Sequence, residues 1–301
     1  MIVGVDVGAS HTDAAIKLDD SDNVIRTRSP GCPVRRGSVQ TAALQILATI
    51  NSLQDQANPS SNTTCVVVGA AGTHTEELRL ELESSLSNGH PTTTFSVTTD
   101  GVIALEDAFA EYPGIVVCAG SGSIAYARDH EGEIHRTGGL GPVLADEGSG
   151  FAIGLAGLRA AAKAADCRSP ARTLENAIFE SVGVRALDEL VDWAWNADRP
   201  TIAGLARAVL EAMDMGDDAA ASIVHLAARD LNELVMTLAR NYPDRSPINV
   251  AFSGGLLGEG SHVRSALESE IRASLPLARI QPGSVDPVRG ALALAGRLAS
   301  G

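Results

Sequence analysis

The sequence predicts an α/β protein built from two similar halves, each opening on an antiparallel strand–turn–strand and continuing into alternating helices and strands. Three observations carry this expectation. Val5-Asp6-Val7-Gly8-Ala9-Ser10-His11-Thr12 and Val117-Cys118-Ala119-Gly120-Ser121-Gly122-Ser123 each place a glycine-and-hydroxyl turn at the end of a β-branched run, Ile2, Val3, Val5 and Val7 in the first and Ile115, Val116 and Val117 in the second. Each turn leads into a second alternating segment, Ala14-Ala15-Ile16-Lys17-Leu18 or Ile124-Ala125-Tyr126-Ala127-Arg128. The pattern that begins at Met1 restarts at Ile115, which marks an internal repeat.

Taken in order, residues 1–29 read as three short strands, with Asp19-Asp20-Ser21-Asp22-Asn23 as the second turn of a meander. A helix fits 38–53, where Ala42, Leu44, Ile46, Leu47 and Ile50 are the apolar positions, and a polar loop follows around Asn58-Pro59-Ser60-Ser61-Asn62. Strand 65–68, helix 76–86, strand 95–98 and helix 102–109 complete the first half. The second half repeats strand, turn and strand, turns again at Asp129-His130-Glu131-Gly132-Glu133, and is interrupted by a helix-rich insertion over 148–240, with helical spacing at 153–165 and 217–239. Strand 248–252, the loop Ser253-Gly254-Gly255-Leu256, helix 261–273, strand 278–281 and a terminal helix from Asp286 finish the chain.

At 301 residues, 45% hydrophobic and 20% charged, the chain has the composition of a globular protein with a sizeable core. Its net charge of −14 argues against nucleic acid or an anionic membrane as the main partner, because both reward basic patches. All but two of its basic residues, Lys17 and Lys163, are arginine. That excludes the Gly-Lys-Ser/Thr of a P-loop and the strand lysine of a protein kinase. Cys32, Cys65, Cys118 and Cys167 form no C-x-x-C pair and read as reduced thiols, the start carries no basic-then-apolar leader, and no apolar run is long enough for a membrane helix, so a cytoplasmic location is expected.

A glycine turn lets an anion approach the backbone closely, and a neighbouring hydroxyl adds a donor, so both loops can cradle phosphate without lysine. Asp6 ends the first strand beside such a turn, where it can hold Mg2+ against phosphates or bond its own turn. Asp100 follows strand 95–98 and precedes an apolar helix, which suits an N-cap and equally a general base at a strand's C-terminal end. Gly138-Gly139-Leu140-Gly141 and Ala145-Asp146-Glu147-Gly148-Ser149-Gly150 read as a loop capped by Ser149 or Asp146, or as a glycine wall against a sugar whose hydroxyls the carboxylates accept. Ser253-Gly254-Gly255 suits a backbone wall against adenosine or a plain strand-to-helix turn. Trp193 and Trp195 read as core or interface anchors and Arg35-Arg36 as a solvated face; the histidines lack metal-ligand spacing.

Together, Gly4-Val5-Asp6-Val7-Gly8-Ala9-Ser10-His11-Thr12, Thr98-Thr99-Asp100-Gly101, Ala119-Gly120-Ser121-Gly122-Ser123, Gly138-Gly139-Leu140-Gly141, Asp146-Glu147-Gly148-Ser149 and Ser253-Gly254-Gly255 resemble the N-acetylglucosamine kinase and BadF-type ATPase family of the actin/hexokinase/Hsp70 superfamily. The resemblance covers nearly the whole chain in the right order and is most specific over 120–150. It implies two ribonuclease-H-like lobes around an ATP cleft: 1–110 with helix 287–301 on the sugar side, and 111–286, carrying the helical insertion, on the nucleotide side. It implies ATP and Mg2+ as cofactors, a small-molecule sugar as substrate and a homodimer.

Residue by residue, the resemblance implies Asp100 as the base that takes the sugar hydroxyl's proton and Asp6 as the magnesium residue. Gly8, Ser10, His11, Thr12, Gly120, Ser121, Gly122 and Ser123 would cradle phosphates, and Gly254 and Gly255 would face adenosine. Cys32, Asp100, Ser121, Gly139 and Asp146 would lie at the sugar. Three positions depart from the family pattern: Ala9 and His11 stand where glycine and Lys or Arg are usual, Leu140 stands in a Gly-Gly-Trp-Gly, and Cys32 stands at a sugar-binding Asn. The implied activity is phosphorylation of an amino or N-acetylated sugar. Two alternatives are an ATPase activator of 2-hydroxyacyl-CoA dehydratase type and a sensor without turnover. The activators hold an iron–sulfur cluster with closely placed cysteines and carry Gly-Gly-Gln-Asp in the second loop; this chain has no cysteine pair and reads Gly120-Ser121-Gly122-Ser123. The retention of Asp6 and Asp100 argues against the sensor.

Overall fold

The protein is described here from a computed structural model covering residues 1–18, 23–57, 63–243 and 245–300. The expected turn at 19–23, apart from Asn23, and the loop at 58–62 lie outside the described residues. The chain divides into two compact units, Met1–Tyr112 with Val285–Gly301 and Pro113–Ser284.

In the first unit, β1 (Ile2–Val7), β2 (His11–Lys17) and β3 (Val24–Pro30) form the meander, followed by α1 (Val39–Ala57), β4 (Cys65–Ala70), α2 (Glu76–Ser87), β5 (Thr94–Thr98) and α3 (Asp100–Phe109). The sheet runs β3-β2-β1-β4-β5, antiparallel among the first three strands and parallel from β1 through β4 to β5. Successive side chains of a strand point to opposite faces. Val3, Val5 and Val7 therefore share one face, where they pack with Ile46, Ile50 and Leu53 of α1 and Leu82 and Leu86 of α2. Full burial of each such aliphatic side chain contributes about 1.5–3 kcal/mol.

The second unit begins with β6 (Gly114–Ala119), β7 (Ser123–Arg128) and β8 (Ile134–Gly138). The insertion then forms α4 (Gly150–Ala165), α5 (Arg172–Val182), α6 (Leu187–Asn196), α7 (Arg199–Gly204), α8 (Ala206–Asp214) and α9 (Asp218–Ala239). After it come β9 (Asn249–Ser253), a short 3₁₀ turn at Gly255–Leu257, α10 (His262–Ser274) and β10 (Arg279–Ile280). The sheet order β10-β9-β6-β7-β8 and its mixture of parallel and antiparallel pairs repeat those of β5-β4-β1-β2-β3, so the internal repeat is a duplicated ribonuclease-H-like topology. Leu174, Ile178, Val209, Val224, Leu231 and Val235 bury the insertion's helices against Ile115, Val117 and Val250.

α11 (Pro287–Ser300) belongs to the first unit, on the sheet face opposite α1 and α2. Gly4 explains how closely it sits: a Cβ there would lie 2.7 Å from the Leu292 backbone N and 2.8 Å from the Val288 carbonyl O. Cys65, Val67, Ile103, Ala291 and Ala295 fill this second face, and Arg297 Nη1 donates to the buried Glu106 at 2.6 Å.

Two details differ from the sequence reading. Trp193 packs against the core of its unit, whereas Trp195 is 85% exposed, which removes the core reading for it and leaves the interface one. Helix positions i and i+2 are about 200° apart, so both rings cannot face one core. β10 shrinks to Arg279–Ile280 because its ladder with β9 extends over only two pairs.

Candidate active site

Period-two alternation along β1 puts Asp6 on the face of Gly4, toward α3 and α11 rather than α1 and α2. Its partner across the β1–β2 ladder is Asp13. Burial first, and then the charges of Asp100, Asp13 and Asp286, push the Asp6 carboxyl up from 3.8 to about 7. Arg28 grips Asp13 through Nε at 2.6 Å and Nη2 at 2.9 Å, and Arg26 Nη2 lies 2.5 Å from Asp286.

Asp100 is the first residue of α3, and the cap belongs to its neighbour: Thr99 Oγ1 accepts from Val102 N at 3.3 Å. This corrects the N-cap option for Asp100. Its carboxylate accepts from Gly101 N at 3.0 Å and favours the positive end of the helix dipole.

The β1–β2 turn is closed by Gly8 N donating to the His11 carbonyl at 3.0 Å, with Ser10 and His11 exposed. His11 Nε2 stands 3.4 Å from Asp13. Thr12 is buried and its hydroxyl lies 3.6 Å from Cys32 Sγ. Cys32 is 7% exposed within the core that holds Val34 and Val39, and burial pushes its thiol up. These two residues are turned toward each other in the interior.

In the second unit the β6–β7 turn has its own closure, Gly120 N to the Gly122 carbonyl at 2.9 Å, and Gly150 N at the start of α4 donates to the Gly120 carbonyl at 2.7 Å. Ser149 is the α4 cap, accepting from Ala152 N at 3.2 Å. Asp146 is buried and tied to the loop through Ser123 N at 3.4 Å, while Ser123 Oγ donates to the Glu147 carbonyl at 2.6 Å. Burial pushes the Asp146 carboxyl up on balance, against the opposing pull of Arg199, whose Nη2 is 2.5 Å away.

A Cβ on Gly120 or Gly255 would meet nothing within 4 Å, so both face open space beside the loop backbone. Gly254 is different. Its φ of +92° and a Cβ position 2.3 Å from the Ala119 carbonyl O make it the contact that seats the β9 turn on β6. Gly139 turns its Cβ direction onto Ile124 while remaining exposed, so part of the glycine density serves internal packing.

Within the first unit the structure thus gathers Asp6, Asp100, Asp13 and Asp286; within the second it gathers Gly120–Ser123, Asp146, Gly254 and Arg199. Sequence reasoning missed Asp13, Asp286 and Arg199. Asp13 was legible in principle, since a hairpin closed at Gly8 and His11 sets Asp6 opposite Asp13. Nothing local marks Arg199 in the insertion.

Mg2+ binds through one or two carboxylates with waters and substrate phosphates rather than in a protein cage. Among the described residues no three His, Cys, Asp or Glu groups could together hold a metal ion, and a partly buried carboxyl in a field of acids suits that one-carboxylate mode. The open backbone at Gly120 and Gly255 fits a nucleotide approaching the second unit.

The chain is 27% identical to the N-acetylmuramic acid/N-acetylglucosamine kinase of Clostridium acetobutylicum over 76% of both chains. It is 24% identical to the N-acetyl-D-glucosamine kinase of Dictyostelium discoideum over 98% of this chain and 97% of that one. A Chromobacterium violaceum protein, solved as a candidate N-acetylglucosamine kinase, has the same fold with a TM-score of 0.78 at 24% identity over 98% of each chain. The BadF/BadG/BcrA/BcrD ATPase family model matches residues 3–295, and this chain therefore belongs to that family.

Proposed function

We propose that this protein is an ATP-dependent kinase that transfers the γ-phosphoryl group to a hydroxyl of an amino or N-acetylated sugar. The observation that carries the reading is the duplicated strand–turn–strand with its glycine-and-hydroxyl loops, joined in the first unit to Asp6 and Asp100 at the C-terminal ends of β1 and β5. Two kinase relatives that share most or nearly all of the chain support it.

In this reading Asp100 takes the proton of the accepting hydroxyl as its oxygen bonds to the γ-phosphorus and the bond from that phosphorus to the bridging oxygen of ADP breaks. Backbone N–H groups and hydroxyls of Gly8, Ser10, His11, Thr12 and of Gly120–Ser123 hold phosphoryl oxygens, while Gly254 and Gly255 line the adenosine. Thr12, with its hydroxyl on Cys32, serves through its backbone. Asp6 holds Mg2+, which when bound offsets negative charge on the phosphoryl oxygens. Ser121, Gly139 and Asp146 in the second unit and Asp100 and Cys32 in the first are the sugar-side residues.

A cytoplasmic setting and a homodimer belong to the same reading. The activator alternative needs closely set cysteines, whereas these four sit on β4, β6 and two separate loops. An ATP-consumption screen over amino, N-acetylated and anhydro sugars tests the proposal. Turnover confined to one sugar class supports it, and sugar-independent ATP hydrolysis refutes it.

A further inference from the structure

We propose that Arg199 is a phosphate-binding side chain of the β6–β7 loop, supplying from the helical insertion the positive charge that the loop itself lacks. The inference deepens the kinase reading above and rests on it.

Neither glycine turn carries a lysine or arginine: Gly8-Ala9-Ser10-His11 and Gly120-Ser121-Gly122-Ser123 offer one exposed imidazole and no permanent positive charge, in a chain of net charge −14. In the second unit only backbone amides and hydroxyls of the turn would then face phosphate, unless a side-chain cation arrives from elsewhere in that unit. Arg199 arrives there. It is the first residue of α7, which Asp198 caps through Thr201 N at 2.9 Å. Its guanidinium lies against the turn, since a Cβ built on Gly122 would fall 2.8 Å from Arg199 Nη2. The same Nη2 donates to Asp146 Oδ2 at 2.5 Å, and Asp146 Oδ1 accepts from Ser123 N at 3.4 Å. One buried carboxylate therefore fixes both the loop and the arginine beside it.

The pairing leaves the guanidinium underused. An arginine kept only to neutralise a carboxylate gains most from a side-on grip through Nε and Nη2 together. Here Nη2 is engaged, while Nε is buried without an acceptor among the described residues. The Arg199 side chain keeps 33% of its surface open, against 4% for Asp146. An arginine held in place beside a glycine turn, with a third of its side chain open, is matched to a phosphoryl oxygen through the part of its planar fork that Asp146 does not take. Fixed charge of this kind, aimed at the transferring group, needs little reorganisation during reaction.

The test uses the full chain with three variants: Arg199→Gln, Arg199→Lys, and Arg199→Gln combined with Asp146→Asn. Calorimetry reads affinity for MgATP, ADP and adenosine, and initial rates read kcat and KM. Arg199→Gln is expected to weaken MgATP binding about tenfold or lower kcat by about 10²-fold or more, with adenosine affinity unchanged and partial recovery in Arg199→Lys. The double variant separates phosphate contact from an orphaned carboxylate. If Arg199 touches phosphate, the loss of MgATP affinity persists with Asp146 neutralised, a readout independent of any sugar contact of Asp146; recovery of ATP affinity in the double variant overturns the proposal by making Arg199 only a partner for Asp146.

Wild-type ATP affinity and turnover in Arg199→Gln, or a loss confined to KM for acidic sugars, also overturns it. Both outcomes leave the kinase reading standing. A wild-type protein that binds no nucleotide overturns both. Should Arg199→Gln fail to fold, the double variant and Arg199→Lys give the same decision, because neither leaves a buried charge unpaired.

Discussion

Asp6 and Asp13 stand directly opposite each other in the antiparallel β1–β2 ladder, both carboxylates, beside the turn closed by Gly8 and His11. Like charges across a ladder are unfavourable unless something else stabilises them. Arg28 does so for Asp13, while burial first, and then the charges of Asp100, Asp13 and Asp286, push the Asp6 carboxyl up to about 7. A bound cation would stabilise the ionised form of Asp6 in the same field.

This relationship makes stability depend on pH with a definite sign. The raised Asp6 carboxyl means that the folded state binds more protons than the unfolded state between about 3.8 and about 7, so Asp6 makes stability fall as pH rises through that window. Above it the penalty is fully present, and below it the penalty is absent. Asp6→Asn is expected to raise the Tm at pH 8 by several degrees and to leave it nearly unchanged at pH 4. Scanning calorimetry without Mg2+ at both pH values checks this, and equal shifts would refute the burial of that charge.

Asp100→Asn is expected to lower kcat by about 10²–10⁴, the usual value of a positioned base, with ATP affinity retained. The fold should tolerate it, because Thr99 rather than Asp100 caps α3. Steady-state kinetics beside a melting curve make the check, and near-normal kcat in the variant would remove Asp100 from the chemistry.

The glycines of the second unit separate ligand contact from packing. A Cβ on Gly120 meets no neighbour within 4 Å, so Gly120→Val is expected to melt close to the wild type, yet lose the Tm increase that MgATP confers. Gly254→Ala would crowd the Ala119 carbonyl at a positive φ and should lower stability by about 1–3 kcal/mol without nucleotide. A Gly120→Val protein with a full ATP shift would show that this turn does not meet phosphate.

Cys32→Asn inserts an amide beside Thr12 in the interior. If the position reaches the sugar, KM for amino or N-acetylated sugars changes while KM for ATP does not. Without a sugar to bond, the buried amide is expected to cost about 1–3 kcal/mol. A destabilised variant with unchanged sugar KM would assign Cys32 to the core alone. Its raised, buried thiol should also resist alkylation until unfolding, whereas the exposed Cys167 labels in the native protein, as mass spectrometry of iodoacetamide-treated protein can show.

Sequence alone determined the periodic parts. Val3, Val5 and Val7 alternate as a half-buried strand must, Ala42, Ile46 and Ile50 recur at helical spacing and are buried although Leu44 of the same set is exposed, and the restart at Ile115 announced the second sheet that repeats the first. The two glycine turns and Asp100 were legible for the same reason: they sit within a few residues of a strand end. Tertiary structure alone decided what lies opposite and what lies above. Ladder register sets Asp13 against Asp6, the return of the chain brings Asp286 into the same field, and folding of the insertion carries Arg199 to a turn more than seventy residues away in sequence. It also turned Thr12 and Cys32 inward and Trp195 outward, because burial depends on which neighbour closes over a face and not on the residue's own pattern. Local periodicity specifies direction along an element, whereas charge pairing and burial depend on distance in space.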